Sequence, residues 1–248
     1  MTPVGRFFIG TSGFSYAHWF GLFYPETLPK REWLEYYSTR FDTVEINSSF
    51  YHLPRTSTCE GWKNRVPARF VFTMKASRFI THIRKLRDTE EPVRRFFEVV
   101  DVLGGMLGPV LFQLPPGLER DIQLLERFIA VLPPGHRYVF EFRNSTWYDE
   151  ETYELLDRTG CSFCVHDLPG KASPFVLTGG FAYFRFHGSR QAYSSRYTDE
   201  ELRSWSVRMR GIAESGRDVY AYFNNDIHGY AVENAETLMR YAEAEPLG

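Results

Sequence analysis

The segment Arg137 to Trp147, RYVFEFRNSTW, separates two faces by alternation. Read as a strand, it places Val139, Glu141 and Arg143 on one side and Tyr138, Phe140 and Phe142 on the other. One side is aromatic throughout, while the other turns charged toward its C-terminal end. The pattern recurs along the chain. TVEIN puts Glu45 with Asn47, RFVFTMK puts Thr73 with Lys75, VLFQ ends in Gln113, and FAYFRFH puts Arg185 beside His187. Strands with one aromatic face and a charge only near the end suit an α/β chain closed into a (β/α)8 TIM barrel, whose outer face packs under helices and whose inner face opens into a mouth. An ordinary sheet with one wet face would carry polar residues along each whole strand, and these strands do not.

Eight strand candidates follow in order: Arg6 to Ile9, Thr43 to Asn47, Arg69 to Lys75, Pro109 to Leu114, the segment above, Cys161 to Asp167, Phe181 to His187 and Val219 to Asn224. Helical patterns fill most gaps, over Pro29 to Phe41, Pro92 to Gly104, Arg120 to Leu132 and Asp149 to Arg158, then from a Thr198–Glu201 capping box to about Ala213. Trp33, Tyr36, Tyr37 and Phe41 recur near helical spacing and read as core. Between strands six and seven, LPGKASPFVLTGG has no helical period, so an irregular connection is expected there. No repeat, linker or low-complexity tract divides the chain, and residues 1–248 read as a single barrel domain.

Several connections carry their own expectations. GTSGFSYAHW is rich in Gly and Ser but lacks the lysine and spacing of a phosphate-binding P-loop, so Phe14, Tyr16 and Trp19 read as packing. SSFYHLP crowds polar residues directly after strand two, as a functional loop at a barrel mouth does. GSRQAYSSRY, with two tyrosines and two arginines, reads as a flexible lid over an anionic ligand or as a solvated loop. The CxxC of Cys161 and Cys164 falls in a strand, where positions three apart face opposite ways, so neither a shared metal nor a redox pair is expected.

The formal net charge of −2 gives no global electrostatic case for nucleic acid or membrane, so any anion site must be local. Three cysteines form no disulfide framework, which fits a reducing compartment. MTPVGRFFIG lacks the apolar stretch of a signal peptide, and no segment reaches membrane-spanning length. A soluble, cytoplasmic protein without membrane attachment is the expectation; the oligomeric state is left open.

In order, GTSGFSY, TVEINSSFY, ITH, GPVLFQLPP, EFRNSTW, YFRFHG and YFNND resemble the motifs of the YecE-like family, domain of unknown function 72. The resemblance runs from about Phe7 to Tyr241 and implies a TIM barrel. It implies no established reaction; a proposed kinship with abasic-site endonucleases is an analogy of fold. The positions it matches are Glu45, Asn47, Tyr51, Lys75, His82, Gln113, Glu141, Arg143, Trp147, Arg185, His187, Asn224 and Asn225. The sequence departs at Phe14, where the family usually has Trp.

The expected mouth sets Glu45 and Glu141 against Lys75, Arg143 and Arg185, with His166 and His187 titrating near neutrality. The leading expectation is metal-independent acid/base chemistry on a small anionic or sugar-like substrate. Arg143 and Arg185 would hold it, Glu45 or Glu141 would be the base, His187 the acid or its relay, and Lys75 a stabiliser of developing negative charge. Asn47, Tyr51, His82, Gln113, Trp147, Asp167, Tyr193, Tyr197, Asn224, Asn225 and Asp226 complete the candidate binding set. A purely structural ion-pair network filling the barrel top is the alternative, and in it Lys75 pairs with Glu45. A second reading is a nucleic-acid-binding barrel, with Tyr51, Trp147, Tyr193 and Tyr197 stacking on bases. A third is a metal-dependent hydrolase using His166, Asp167, His187, Asp226 and His228, which lack HxH or HExxH spacing; no metal or other cofactor is assigned. A fourth is Schiff-base chemistry at Lys75.

Overall fold

A computed structural model describes residues 4–244; the first three residues of the N-terminal segment read above lie outside it. Eight strands and eight α-helices follow one another: β1 (Phe7–Thr11), α1 (Trp33–Ser38), β2 (Thr43–Ile46), α2 (Ser48–Tyr51), α3 (Thr56–Lys63), β3 (Val71–Lys75), α4 (Glu90–Val100) and β4 (Leu107–Leu114). They continue as α5 (Ile122–Val131), β5 (Tyr138–Phe142), α6 (Glu150–Arg158), β6 (Ser162–Asp167), β7 (Phe181–Phe186), α7 (Asp199–Glu214), β8 (Asp218–Phe223) and α8 (Tyr230–Glu243). All ladders are parallel, in the order β1-β8-β7-β6-β5-β4-β3-β2. The expected TIM-barrel architecture is therefore present, including the irregular β6–β7 connection and the Thr198–Glu201 capping box.

Element ends shift by a few residues, and two differences have a clear physical reason. α4 begins at Glu90, so Pro92 sits in its first turn, where backbone N–H groups lack intrahelical partners anyway. The segment after β2 is not an open loop but the short helix α2, followed by α3. α3 buries only Cys59, which leaves it no apolar stripe to reveal its period.

The alternation of each strand sorts the barrel into layers. Phe140 and Phe142 of β5 and Phe184 and Phe186 of β7 face outward into the helix-covered core. Inward, the floor is apolar: Phe8, Leu111, Val139, Cys164, Phe181, Tyr183, Tyr220 and Tyr222 pack together. Cys164 lies in this inner cluster and Cys161 in the outer one, both as free thiols, as strand geometry requires. Above the floor, the Tyr222 hydroxyl lies 2.7 Å from both Thr43 Oγ1 and Thr73 Oγ1, and charge begins one layer higher.

The seam between β1 and β2 has no strand ladder, and a side chain substitutes for it. Tyr37 of α1 inserts its hydroxyl between the strands, accepting from the Thr11 N–H at 3.0 Å and donating to the Thr43 carbonyl at 3.1 Å. Gly10 permits this approach, since a Cβ there would lie 2.4 Å from the Thr43 oxygen. At the top, a Ser12–Glu45 bridge and the Gly13 N–H to Glu45 carbonyl bond of 2.7 Å complete closure. Tyr37→Phe leaves a buried N–H without its partner and is expected to cost about 1–3 kcal/mol. Urea unfolding should show a lower midpoint at unchanged slope; a midpoint equal to that of the unaltered protein would mean the seam closes without the hydroxyl.

Candidate functional site

β2, β5 and β7 deliver three inward side chains to one level of the barrel, and together they bury a charge network. Arg185 is 1 % exposed, while Glu45 and Glu141 are wholly buried. The guanidinium binds Glu45 bidentately, Nη2 to Oε1 at 2.7 Å and Nε to Oε2 at 2.9 Å, and reaches Glu141 Oε2 through Nη1 at 2.6 Å. Glu45 also accepts from the Tyr183 hydroxyl at 2.6 Å and from the Ser12 hydroxyl. Glu141 accepts from Gln113 Nε2 at 2.9 Å and pairs with Arg143. Burial alone would raise the Glu141 carboxyl, but the guanidiniums of Arg143 and Arg185 outweigh it and hold it well below the usual carboxylate range.

That arrangement corrects the expected division of roles. Both carboxylates lie below the pocket and are engaged by donors, Glu45 by Arg185, Tyr183 and Ser12 and Glu141 by Gln113, Arg143 and Arg185, so neither is presented to a ligand as a free base. His187 is not an acid either. Its Nε2 lies 3.0 Å from Arg143 Nη2 and 3.3 Å from Arg185 Nη1, and guanidinium nitrogens only donate, so Nε2 accepts and the ring is neutral. Burial and the two arginines drive its pKa well below that of free imidazole. Lys75 does not pair with Glu45, whose oxygens are taken by Arg185, Tyr183 and Ser12. Among the described residues the Lys75 ammonium makes no ion pair; it sits 4.3 Å from the Phe50 ring centre. Ser49 fixes that contact, because its hydroxyl lies 2.6 Å from the Lys75 carbonyl and ties α2 over the end of β3. Burial, followed by Arg185, lowers the Lys75 pKa to about 8.

Above the network opens a pocket of about 560 Å³ at the C-terminal ends of the strands. Of the expected residues, Lys75, Arg143, Arg185 and His187 line it, with Asn47, Tyr51, His82, Gln113, Tyr193 and Asn224. Tyr16, Phe50 and Arg78 line it as well, and the sequence reading missed them in this role. Tyr16 reaches the pocket because Gly13, at φ 98°, turns the chain back so that the Tyr16 hydroxyl donates to the Ser12 carbonyl at 2.6 Å. His82 packs edge-on against the same Phe50 ring, and burial together with the nearby Lys75 lowers its pKa to about 4. Three lining residues keep buried polar atoms without partners: Asn47 Oδ1, Arg143 Nε and His187 Nδ1.

The other expected residues lie elsewhere. Trp147 is fully buried, stacks on Phe142 and donates its indole N–H to the Leu118 carbonyl at 2.8 Å, so it is core rather than a stacking surface. Tyr197 is buried, accepts from the Gly188 N–H at 3.2 Å and faces the half-buried Asp167. Asn225 donates to the Ser195 carbonyl and to Asn234 Oδ1, both at 2.9 Å, anchoring the 188–197 loop, which the sequence leaves open as a flexible lid or a solvated loop. Asp226 turns to His18, 3.6 Å away, and His166 points Nε2 at the Lys171 carbonyl, 3.0 Å away. Among the described residues no group of three His, Cys, Asp or Glu side chains is arranged to hold a metal ion, and no helix is long and apolar enough to cross a membrane.

A second cavity of about 590 Å³ opens at the opposite end of the barrel. Its lining carries both signs, Arg6 and Arg137 with Asp101 and Asp218, and Arg137 meets Asp218 at 2.6 Å. The mouth pocket is different: Arg143 and Arg185 in its lining are balanced by Glu141 and Glu45 below, but Lys75 and Arg78 have no ion-pair partner among the described residues.

Arg185→Met would leave two buried carboxylates short of their cation and is expected to cost about 3–5 kcal/mol in urea unfolding. Adding Glu45→Gln and Glu141→Gln should restore part of that loss. Since the folded Glu141 pKa lies below its ordinary value, its ion pairs contribute in full above about pH 4.5 and are lost as pH falls through the folded value. Unchanged stability of Arg185→Met would contradict this account of the network.

The family described as "Protein of unknown function DUF72" matches residues 8–247. The chain is 25% identical over 258 residues to the UPF0759 protein YunF of Bacillus subtilis, covering 91% of this chain and 92% of that one. It is 28% identical over 127 residues to the UPF0759 protein YecE of Escherichia coli K12, covering 50% and 47% of the two chains. The crystal structure of a DUF72 family protein from Thermotoga maritima superimposes with a TM-score of 0.88 at 30% identity, covering 96% of this chain and all of that one. A DUF72 family protein from Enterococcus faecalis, 21% identical with a TM-score of 0.83, shares the fold. The chain is a member of the DUF72 family.

Proposed function

We propose that the barrel mouth is a binding site for a small anionic or sugar-like substrate, on which the protein does acid/base chemistry. The observation that carries this reading is the lining: Lys75 and Arg78, without an ion-pair partner among the described residues, stand beside Arg143 and Arg185 around one pocket, in a chain whose net charge is −2. Glu45 and Glu141 lie below the pocket and balance Arg185 and Arg143, so the charge left over at the mouth is that of Lys75 and Arg78. Arg78 and Arg143 are the arms for the anionic group, and the unpartnered Arg143 Nε is a donor that a ligand oxygen would satisfy. Asn47, Gln113 and Asn224 offer neutral hydrogen bonds for hydroxyl groups. Proton transfer passes from the carboxylates to Lys75, which is divided between both forms near pH 8, and to His82, which is neutral above about pH 4.

The rim supports a second reading, a single nucleotide. Tyr51 and Tyr193 are 63% and 41% exposed beside the arginines, although burial of Trp147 and Tyr197 halves the expected stacking platform. Short oligonucleotides in the same binding screen separate the two ligand classes by their salt dependence.

A thermal-shift screen against sulfate, phosphorylated sugars and sugar acids should show stabilisation by the anions, about 2.7 kcal/mol at a hundredfold excess over Kd. Arg78 is exposed and outside the buried network, so Arg78→Ala should leave the unliganded melting temperature unchanged and weaken anion binding about tenfold. No stabilisation by any anion, or equal binding by Arg78→Ala and the unaltered protein, would sink the reading. Sulfate stays a dianion across this range, so its affinity should fall as pH rises through about 8, where Lys75 loses its proton, and Lys75→Met should abolish that dependence.

A further inference from the structure

The three guanidiniums at the mouth cannot lose a proton in this pH range, so they bind and orient but do not react. Lys75 is different in kind. It is 8% exposed, has no carboxylate partner among the described residues, and rests on an aromatic face instead of in an ion pair. The arginines supply permanent charge for an anion at every pH in this range, whereas Lys75 can also supply a lone pair. An amine that releases its proton near neutrality gains a lone pair, and among the side chains lining the pocket it is the strongest nucleophile. Ser49 holds α2 in place, so the amine is aimed by a packed element rather than by a mobile loop.

We propose that Lys75 is a catalytic nucleophile that forms an imine with an aldehyde or ketone bearing a phosphate or carboxylate, the anionic group being held by Arg78 and Arg143. The inference rests on the anion site described above and names its substrate class. The Lys75 Nζ lone pair attacks the carbonyl carbon, and the carbonyl π pair moves to oxygen, which takes a proton to give a carbinolamine. Nitrogen then loses a proton, the hydroxyl takes a second proton and leaves as water, and the nitrogen lone pair forms the C=N bond, so amine, carbonyl and one proton give an iminium and one water. His82 is the neutral imidazole packed against the same Phe50 ring and serves as the proton relay for these transfers. The resulting iminium withdraws electrons from the bond beside the former carbonyl, which is the step that proton abstraction or carbon–carbon cleavage would use.

The chain has five lysines, Lys30, Lys63, Lys75, Lys85 and Lys171, which makes the site of reaction readable by mass spectrometry. The probe is glycolaldehyde phosphate, with unphosphorylated glycolaldehyde as the comparison, reduced by borohydride so that hydride and a proton turn the imine into a stable secondary amine. The expected result is one adduct per chain on the peptide carrying Lys75, about tenfold less with the unphosphorylated aldehyde and suppressed by inorganic phosphate. Trapping yield should rise with pH around 8 rather than around the ordinary lysine value. Lys75→Arg should lose the adduct yet still be stabilised by phosphate, and its melting temperature reports whether it folds. Adduct spread over the surface lysines and unaffected by Lys75→Arg overturns the imine; so does the absence of a Lys75 adduct while phosphate still stabilises the protein, which leaves the anion site standing. Loss of both phosphate stabilisation and adduct in the unaltered protein overturns the imine and the anion site together.

Discussion

A single guanidinium decides what the barrel mouth can do. Arg185 stands at the centre of the upper layer, holding Glu45 on one side and Glu141 on the other, all three almost without solvent. Two carboxylates left unpaired at that depth would cost several kcal/mol each, so the upper layer depends on this pairing. The pairing also fixes geometry. Glu45 belongs to the strand at the seam, where its backbone carbonyl closes the barrel through Gly13 and its side chain meets Ser12, Tyr183 and Arg185. Closure of the barrel and neutralisation of its charges therefore meet at one residue.

What the network consumes defines what it leaves over. By taking both carboxylates, Arg185 and Arg143 strip the pocket wall of negative charge, and Lys75 is left without the partner that its neighbourhood offers on paper. Burial then works on an unpaired ammonium, in the field of Arg185, and lowers its pKa to about 8. A structural ion-pair network and an unpaired buried amine are not alternatives here, because the first leaves the second without a partner among the described residues.

The barrel was legible because its inner faces change character along each strand: Val139 then Glu141, Thr73 then Lys75, and Tyr183 then Arg185 mark a packed floor and an open top. The same alternation found the principal mouth residues. It could not say which cation meets which carboxylate, since Glu45 and Arg185 are 140 residues apart and meet across the barrel through strand stagger, whereas Lys75 is on the strand next to Glu45. Trp147 and Tyr197 looked functional because aromatic residues just beyond strands often are. Both turn under the rim instead, where Leu118 and Gly188 satisfy their polar atoms. In the sequence Tyr16 reads only as packing, and Phe50 and Arg78 escape notice, because each reaches the pocket through a turn or short helix whose course depends on tertiary contacts, the Gly13 turn for Tyr16 and the Ser49 tie for Phe50.

The most direct measurement is the titration of the five lysine side chains by NMR, using the carbon next to each ammonium as the probe. The Lys75 signal, assigned by its loss in Lys75→Arg, is expected to titrate near 8 and to move upward when sulfate is added. A Lys75 signal that titrates at the ordinary lysine value and ignores sulfate would mean that the amine is paired or solvated, and would contradict the claim that the buried arginine network leaves it free.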